Sequence, residues 1–350
     1  MSGSTVGEFA DFCTAAFTAV GVPTPDAHVT ARALVASEAW GLASHGLLRV
    51  PQYLRRLQAG GINPGGAGRE GADLGALVVI DGEAGLGQVH LDRAARLGVA
   101  RAQRHGISAV AVSNSHHAGA LTVSAWPALR AGCAVICVSN GPAVMPTPRG
   151  DRPLLSTSPI CIAMAAEPGG APVIVDMSTS AVARGTIAGH AARGERLPDG
   201  WAYDAAGHPT TDPQAALRGM LASLGGTKGA ALAVGVEALT GVMIGPLLSA
   251  EVPDLFDPAA DARPQGIGHL IITLNVAALD GSDEVTHADR TPQQRLAQLR
   301  SLAQSAGSRL PGAGKTDPDA LDPSATLTVP PGVRAALTEW AERLGLDGVP

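Results

Sequence analysis

Ala76-Leu77-Val78-Val79-Ile80, followed by Gly85-Leu86-Gly87-Gln88-Val89-His90, is the stretch on which the fold turns. The first run is short, apolar and rich in β-branched residues, as a strand is. The glycines turn the chain into a helix that reaches about His105-Gly106. A strand, a glycine turn and a helix open the common dinucleotide-binding domain when the turn reads Gly-x-Gly-x-x-Gly. Here the third glycine is missing, and no Gly-x-x-x-x-Gly-Lys-Ser/Thr loop occurs either. Any nucleotide must therefore be held by a different architecture.

Downstream, strands are expected at Ile107 to Val112, Cys133 to Val138, Val173 to Val175 and His269 to Leu274, with a helix through Trp126 and Leu129. Asp176-Met177-Ser178-Thr179-Ser180 can cap a helix starting there. Gly194 to Pro213 is full of turn formers and reads as an ordered surface excursion. Gly225-Gly226-Thr227-Lys228-Gly229 opens a long buried helix reaching Leu248. Upstream, Val6 to Val20 and Thr24 to Trp40 read as helices. A third helix runs from Ser44, as N-cap, to about Leu57, and Asn63 to Gly75 is a glycine-rich loop. Helices return near Pro292 to Ala306 and Val333 to Leu344. The two chain ends are thus expected to form one helical domain (residues 1–74 with 276–350) around an inserted αβ domain (75–275). The class is α+β, mixed, with a mostly antiparallel sheet.

The chain has 350 residues, only 3% of them aromatic, so small residues must do much of the packing. A formal net charge of −6 argues against a nucleic-acid or anionic-membrane partner. Cys13, Cys133, Cys137 and Cys161 follow neither metal-ligand nor disulfide spacing and read as reduced and structural. The first residues lack a basic and an apolar signal region. The longest apolar run is interrupted by Glu237, which suits a buried helix better than a membrane span. A cytoplasmic protein is expected.

Two polar islands carry the chemistry. In Ser44-His45-Gly46-Leu47-Leu48-Arg49 the imidazole and guanidinium are four residues apart, one helical turn, with Tyr53 a turn further. Arg can grip a carboxylate while His delivers a proton beside it. The same residues could equally be an ordinary cap and a solvated arginine. In Ser113-Asn114-Ser115-His116-His117-Ala118-Gly119, Asn114 and Ser115 are expected to hydrogen-bond locally, and His117 to line a cleft. Adjacent histidines seldom face one ion and no carboxylate has ligand spacing, so no metal is expected.

Together these motifs resemble the malate/L-lactate dehydrogenase-like family of NAD(P)-dependent oxidoreductases, which lacks a Rossmann fold. They look most like its Δ1-piperideine-2-carboxylate/Δ1-pyrroline-2-carboxylate reductases. The carriers run from about Phe9 to Lys315. They include Ser44-His45-Gly46 with Arg49 and Tyr53, His117-Ala118-Gly119-Ala120-Leu121, Asp176 to Ser180, Ala183-Arg184-Gly185, Gly225 to Gly229 and Arg309-Leu310-Pro311-Gly312. The resemblance implies His45 as proton donor, oriented by Ser44. It implies a substrate site of Arg49, Tyr53, Thr157, Arg184 and Gly185. It places NADPH or NADH on His117, Ala118, Gly119, Ala120, Leu121, Asp176, Met177, Ser178, Lys228, Arg309, Leu310, Pro311, Gly312 and Lys315. It also implies a homodimer.

Three departures stand out. The family's Gly-Thr-Asn-Pro is Ser156-Thr157-Ser158-Pro159 here. Thr186 stands where the reductases place an acid. The basic end of the Arg-Leu-Pro-Gly motif is reduced to Ala313-Gly314-Lys315. The expected activity is reduction of a small cyclic imine carboxylate or 2-oxo acid. The alternatives are a 2-hydroxy acid dehydrogenase and a catalytically eroded NAD(P)-binding scaffold.

Overall fold

The computed structural model describes residues 4–279 and 290–350. Both chain ends enter one apolar core. Helix α1 (Val6–Ala19) starts at a capping box in which Thr5 and Glu8 each accept the other's backbone N–H. Its Phe9 and Phe17 are sealed against Leu34 of α2 (Thr24–Ala39), Leu54 of α3 (Val50–Gln58) and Leu337 of α10 (Pro331–Leu344), all at 0–1% exposure. The Leu327 amide donates to the Ser4 carbonyl, tying the last segment to the first.

The main sheet has seven strands in the order β1-β2-β3-β10-β4-β5-β6. Strands β2 (Leu77–Asp81) and β3 (Ile107–Ser115) pair in parallel, joined by α4 (Gly87–His105). The other five pairings are antiparallel. Strand β10 (Ile267–Leu274), from late in the chain, sits mid-sheet, with Ile271 opposite both Val110 of β3 and Cys137 of β4 (Ala134–Ser139). Beyond β4 come β5 (Ile160–Met164) and β6 (Val173–Met177). One face packs on α4 and α5 (Leu121–Arg130) through Ala94, Ala125, Val110 and Ile271. The other packs Ala111, Val138 and Leu270 on Val236 of α8 (Thr227–Glu237). The four cysteines are free and buried.

Several expectations need correcting. The helix expected from Ser44 does not form. Ala43–His45 and Leu47–Arg49 are separate 3-10 turns, divided at Gly46 by an extended backbone (φ −95°, ψ −141°), and α3 starts only at Val50. Ser44 therefore caps nothing; its hydroxyl turns to the neighbouring imidazole instead. The Asn63 to Gly75 loop contains edge strand β1 (Arg69–Asp73). Its side chains are all exposed, so it shows no apolar alternation to read. Asp176 and Met177 belong to β6 rather than to a cap; α6 (Arg184–Arg193) starts later, after Ala183 and without a side-chain cap. The long helix expected to Leu248 ends at Glu237 and passes into a wider π turn, Ala238–Val242. It is not buried all round: Leu232, Val234, Leu239, Val242 and Met243 are 42–68% exposed. The surface excursion contains two short strands, β7 (Ala202–Tyr203) and β8 (Pro209–Thr210). With β9 (Met220–Leu221) these make a small sheet, beside α7 (Pro213–Arg218).

Candidate active site

The site forms where the two 3-10 turns meet the end of β3. Gly46 allows this junction. A Cβ there would lie 2.1 Å from Glu38 Oε2, which accepts from the Leu47 amide. Ser44 Oγ stands 2.9 Å from His45 Nδ1. The His45 ring stacks on that of His117, centroids 5.9 Å apart and planes 20° from parallel. Tyr53 Oη lies 2.6 Å from His117 Nδ1 and accepts from Gln88 Nε2 at 3.0 Å. The Tyr53 proton is then free for His117 Nδ1, which leaves Nε2 of the neutral His117 ring as the protonated nitrogen.

Arg49 is nearly buried, at 7% exposure. Its Nε donates to the Ser44 carbonyl (2.6 Å) and its Nη1 to Gln52 Oε1 (2.8 Å). Among the described residues no carboxylate reaches it as an ion-pair partner, and Nη2 has no hydrogen-bond acceptor. Its guanidinium carbon sits 4.7 Å from the centroid of Phe256, and that of Arg184 sits 5.5 Å from the same ring. Arg184 also approaches Asp254 (3.5 Å) and donates to the Leu217 carbonyl.

Burial controls the electrostatics. It pushes His45 down to about 4, with the Arg49 charge adding to the fall and the Asp176 charge opposing it. It holds His117 well below the usual imidazole range, again helped by Arg49 and His45. Tyr53 is raised to about 12 by burial and stays protonated. His45 sits in no α-helix N-terminus, so no helix dipole contributes.

A second cluster lies at the start of α5. Asp176 Oδ2 accepts from the Thr122 amide (2.8 Å) and hydroxyl (2.6 Å), and Lys315 Nζ donates to that hydroxyl (2.9 Å). The Pro311 carbonyl accepts from the Ile174 amide, which lays the segment from Arg309 to Lys315 along β6. Gly119 borders the first cluster: a Cβ on it would stand 3.8 Å from the His45 carbonyl and 3.6 Å from Gln88 Nε2.

The structure thus gathers Ser44, His45, Arg49, Tyr53, His117 and Arg184, with Gly185 beside Ser44. It also gathers Leu121, Asp176, Gly312 and Lys315. Thr157 is linked instead to Thr179, through its carbonyl. Lys228 and Arg309 are exposed and make no polar side-chain contact among the described residues. Thr186 is exposed and bonds neither Ser44 nor His45. Ser115 bonds locally, donating to the His116 carbonyl (3.5 Å), and its hydroxyl also reaches His90 Nδ1 (2.7 Å) and His269 Nε2 (3.1 Å) inside the protein. Gln88, Asp254, Phe256 and Gln265 went unread in the sequence. The available signal was that Phe256 is the one phenylalanine outside α1.

The sequence profile of the malate/L-lactate dehydrogenase family matches residues 5–337. A (2R)-3-sulfolactate dehydrogenase (NADP(+)) from Chromohalobacter salexigens is 36% identical over 298 residues, covering 85% of this chain and 86% of the relative. A Δ1-pyrroline-2-carboxylate reductase from Ancylobacter novellus is 31% identical over 326 residues, covering 89% and 95%. The crystal structure of a Δ1-piperideine-2-carboxylate reductase from Pseudomonas syringae superposes with a TM-score of 0.85 at 28% identity, covering 97% of this chain and 100% of that one.

Proposed function

Because the chain belongs to the malate/L-lactate dehydrogenase family of NAD(P)-dependent oxidoreductases, we propose that it reduces a small 2-oxo acid or the cyclic imine carboxylate formed from one. The observation that carries this is Arg49, a buried guanidinium with no carboxylate within ion-pair distance among the described residues, set beside His45. The carboxylate binds Arg49, which places the adjacent C=O or C=N against His45. When bound, the nicotinamide supplies a hydride to that carbon. His45 supplies the proton from Nε2, because its Nδ1 faces the Ser44 hydroxyl. The product is a 2-hydroxy acid or a cyclic amino acid.

Substrate also arms the donor. Burial is the main cause that depresses His45; a carboxylate on Arg49 offsets the smaller contribution of the Arg49 charge and so favours the protonated imidazole. His117, held by Tyr53, forms a fixed wall against the ring.

The second cluster fits an anionic dinucleotide. Lys315 brings a cation to the start of α5, and Gly119 keeps the approach from His45 narrow. Residues His117 to Leu121, Asp176 to Ser178 and Arg309 to Lys315 would hold it, with Lys228 reaching from the loop before α8. Thr157 would line the substrate side.

A second reading has its own observation. Arg184 shares the Phe256 ring with Arg49, which suits a substrate with a second acidic group and hence 2-hydroxy acid oxidation in the reverse direction. Mixing the protein with NADPH or NADH and a panel of 2-oxo acids, cyclic imine carboxylates and 2-hydroxy acids tests both. Cofactor bound without turnover of any member would instead mark an eroded scaffold.

The exposed apolar band of α8 and the π turn supports a homodimer, in which a second copy of this chain covers it. Four free buried cysteines suit a cytoplasmic setting. We take α1 to α3 with α10 as the helical domain and the two sheets with α4 to α8 as the αβ domain; β1 (Arg69–Asp73) pairs in the main sheet and Arg309 to Lys315 runs along β6, so the expected divisions at 74 and 276 shift. No described helix is long and apolar enough to cross a membrane. Analytical ultracentrifugation checks the dimer.

A further inference from the structure

We propose that Phe256 is the positioning residue for the substrate carboxylate: its ring holds the guanidinium of Arg49 by the face and leaves the edge free to donate. This rests on the reading of Arg49 as the carboxylate-binding group.

A buried cation needs compensation. A carboxylate at this place would neutralise Arg49, occupy its hydrogen-bond fork and compete with the substrate. An aromatic face attracts the cation through the ring quadrupole without taking any N–H. Arg49 has such a face 4.7 Å from its guanidinium carbon and an unused Nη2. Arg184 is drawn to the same ring, so one side chain organises both guanidinium groups.

The backbone that carries the ring is firmly placed. Leu255 beside it is buried in the helical core. The Phe256 amide donates to Asp254 Oδ1 at 3.0 Å. Asp257 caps the 3-10 turn Pro258–Ala260, and Asp261 pairs with Arg55 at 2.9 Å. Gln265 ties the loop to the site: its Nε2 donates to the Pro253 carbonyl and its Oε1 accepts from the His117 amide.

The test compares Phe256→Leu, which removes the ring face, with Phe256→Tyr, which keeps it. Two quantities are read: the KM and kcat of any turned-over substrate, and the calorimetric affinity of NADP+-saturated protein for pyrrole-2-carboxylate, a ring acid that cannot accept a hydride. Phe256→Leu should raise KM and weaken pyrrole-2-carboxylate binding about tenfold, with kcat and NADPH affinity held. Phe256→Tyr should stay within about twofold of the parent. Leu and Tyr variants that behave alike would overturn the proposal. So would a loss confined to kcat, an unchanged affinity in the Leu variant, or a parent protein that binds no carboxylate. A Leu variant that becomes monomeric would overturn it too, assigning the ring to the subunit interface. If the parent binds pyrrole-2-carboxylate through Phe256 but turns over nothing, the proposal stands and the reductase reading fails. If turnover is found and the variants match the parent, the reverse holds.

Discussion

His45 carries two demands that pull apart: burial favours its neutral form, while proton donation needs the charged one. Rate in the reductive direction should therefore fall as pH rises through the His45 pKa of the substrate complex. That pKa should lie above the value of about 4 in the free protein, because the bound carboxylate offsets Arg49. Comparing the pH profiles of kcat/KM and kcat measures the two states separately. His45→Gln should cut kcat by roughly 10²–10⁴-fold with little change in cofactor affinity. Arg49→Lys keeps the charge but loses the planar fork, so KM should rise at least about tenfold while NADPH affinity, read by fluorescence titration, holds. The Ser44, His45 and Arg49 set was legible from its residue types; the helical four-residue spacing was not what joins them, because two 3-10 turns stand there instead. Phe256 was not, because its meaning lies in a contact with Arg49 across more than two hundred residues.

The turns around the site depend on close approach more than on regular helix. Gly87, the first residue of α4, lies where a Cβ would be 2.1 Å from the His116 carbonyl oxygen. That contact is with backbone, so Gly87→Ala must push the His116-His117 turn away. A loss of about 2–4 kcal/mol and weaker substrate binding are expected, read by denaturant unfolding and KM. Gly332 in α10 is the control, since nothing stands within 4 Å of its Cβ position. Gly332→Ala should be neutral or stabilise by up to about 1 kcal/mol. The same contrast explains which elements could be read in advance. α1, α2, α4 and β10 show apolar periodicity and breakers where they end. The Ser44 turn looked like a helix because Ser, a following apolar pair and a basic residue also describe a helix start. Only the Glu38 carboxylate filling the space over Gly46 makes two 3-10 turns the better solution.

Among the described residues five histidines are held neutral, three of them (His90, His116 and His269) buried and two (His45 and His117) half-buried. Burial lowers His45 and His90 to about 4 and His116 and His269 to about 3, and holds His117 well below the usual range. Unfolding restores ordinary values near 6.5, so the unfolded chain binds more protons between those limits. Stability is complete above pH 6.5 and is lost as pH falls towards 4. The melting temperature should drop steeply through that window, measured by calorimetry at a series of pH values. Histidine-to-glutamine replacement at His90 should flatten the drop. The mixed αβ middle flanked by helices was legible from the order of periodic segments. The burial of His90 and His269 was not, because their partners come from two segments distant in sequence, Gly66 in one and Ser115 with the His116 carbonyl in the other.

The central place of β10 also sets a timetable. During synthesis β3 and β4 leave the ribosome side by side, but the strand that must lie between them comes about 130 residues later, a wait of roughly 6–25 s at ordinary elongation rates. For that time the facing edges of β3 and β4 are open and must not zip together. The helical core waits longer still, because α1 finds Leu337 and Trp340 only when the last helix emerges. A chain released before residue 274 should therefore yield aggregates rather than a partly working enzyme, which the soluble fraction of truncated chains measures.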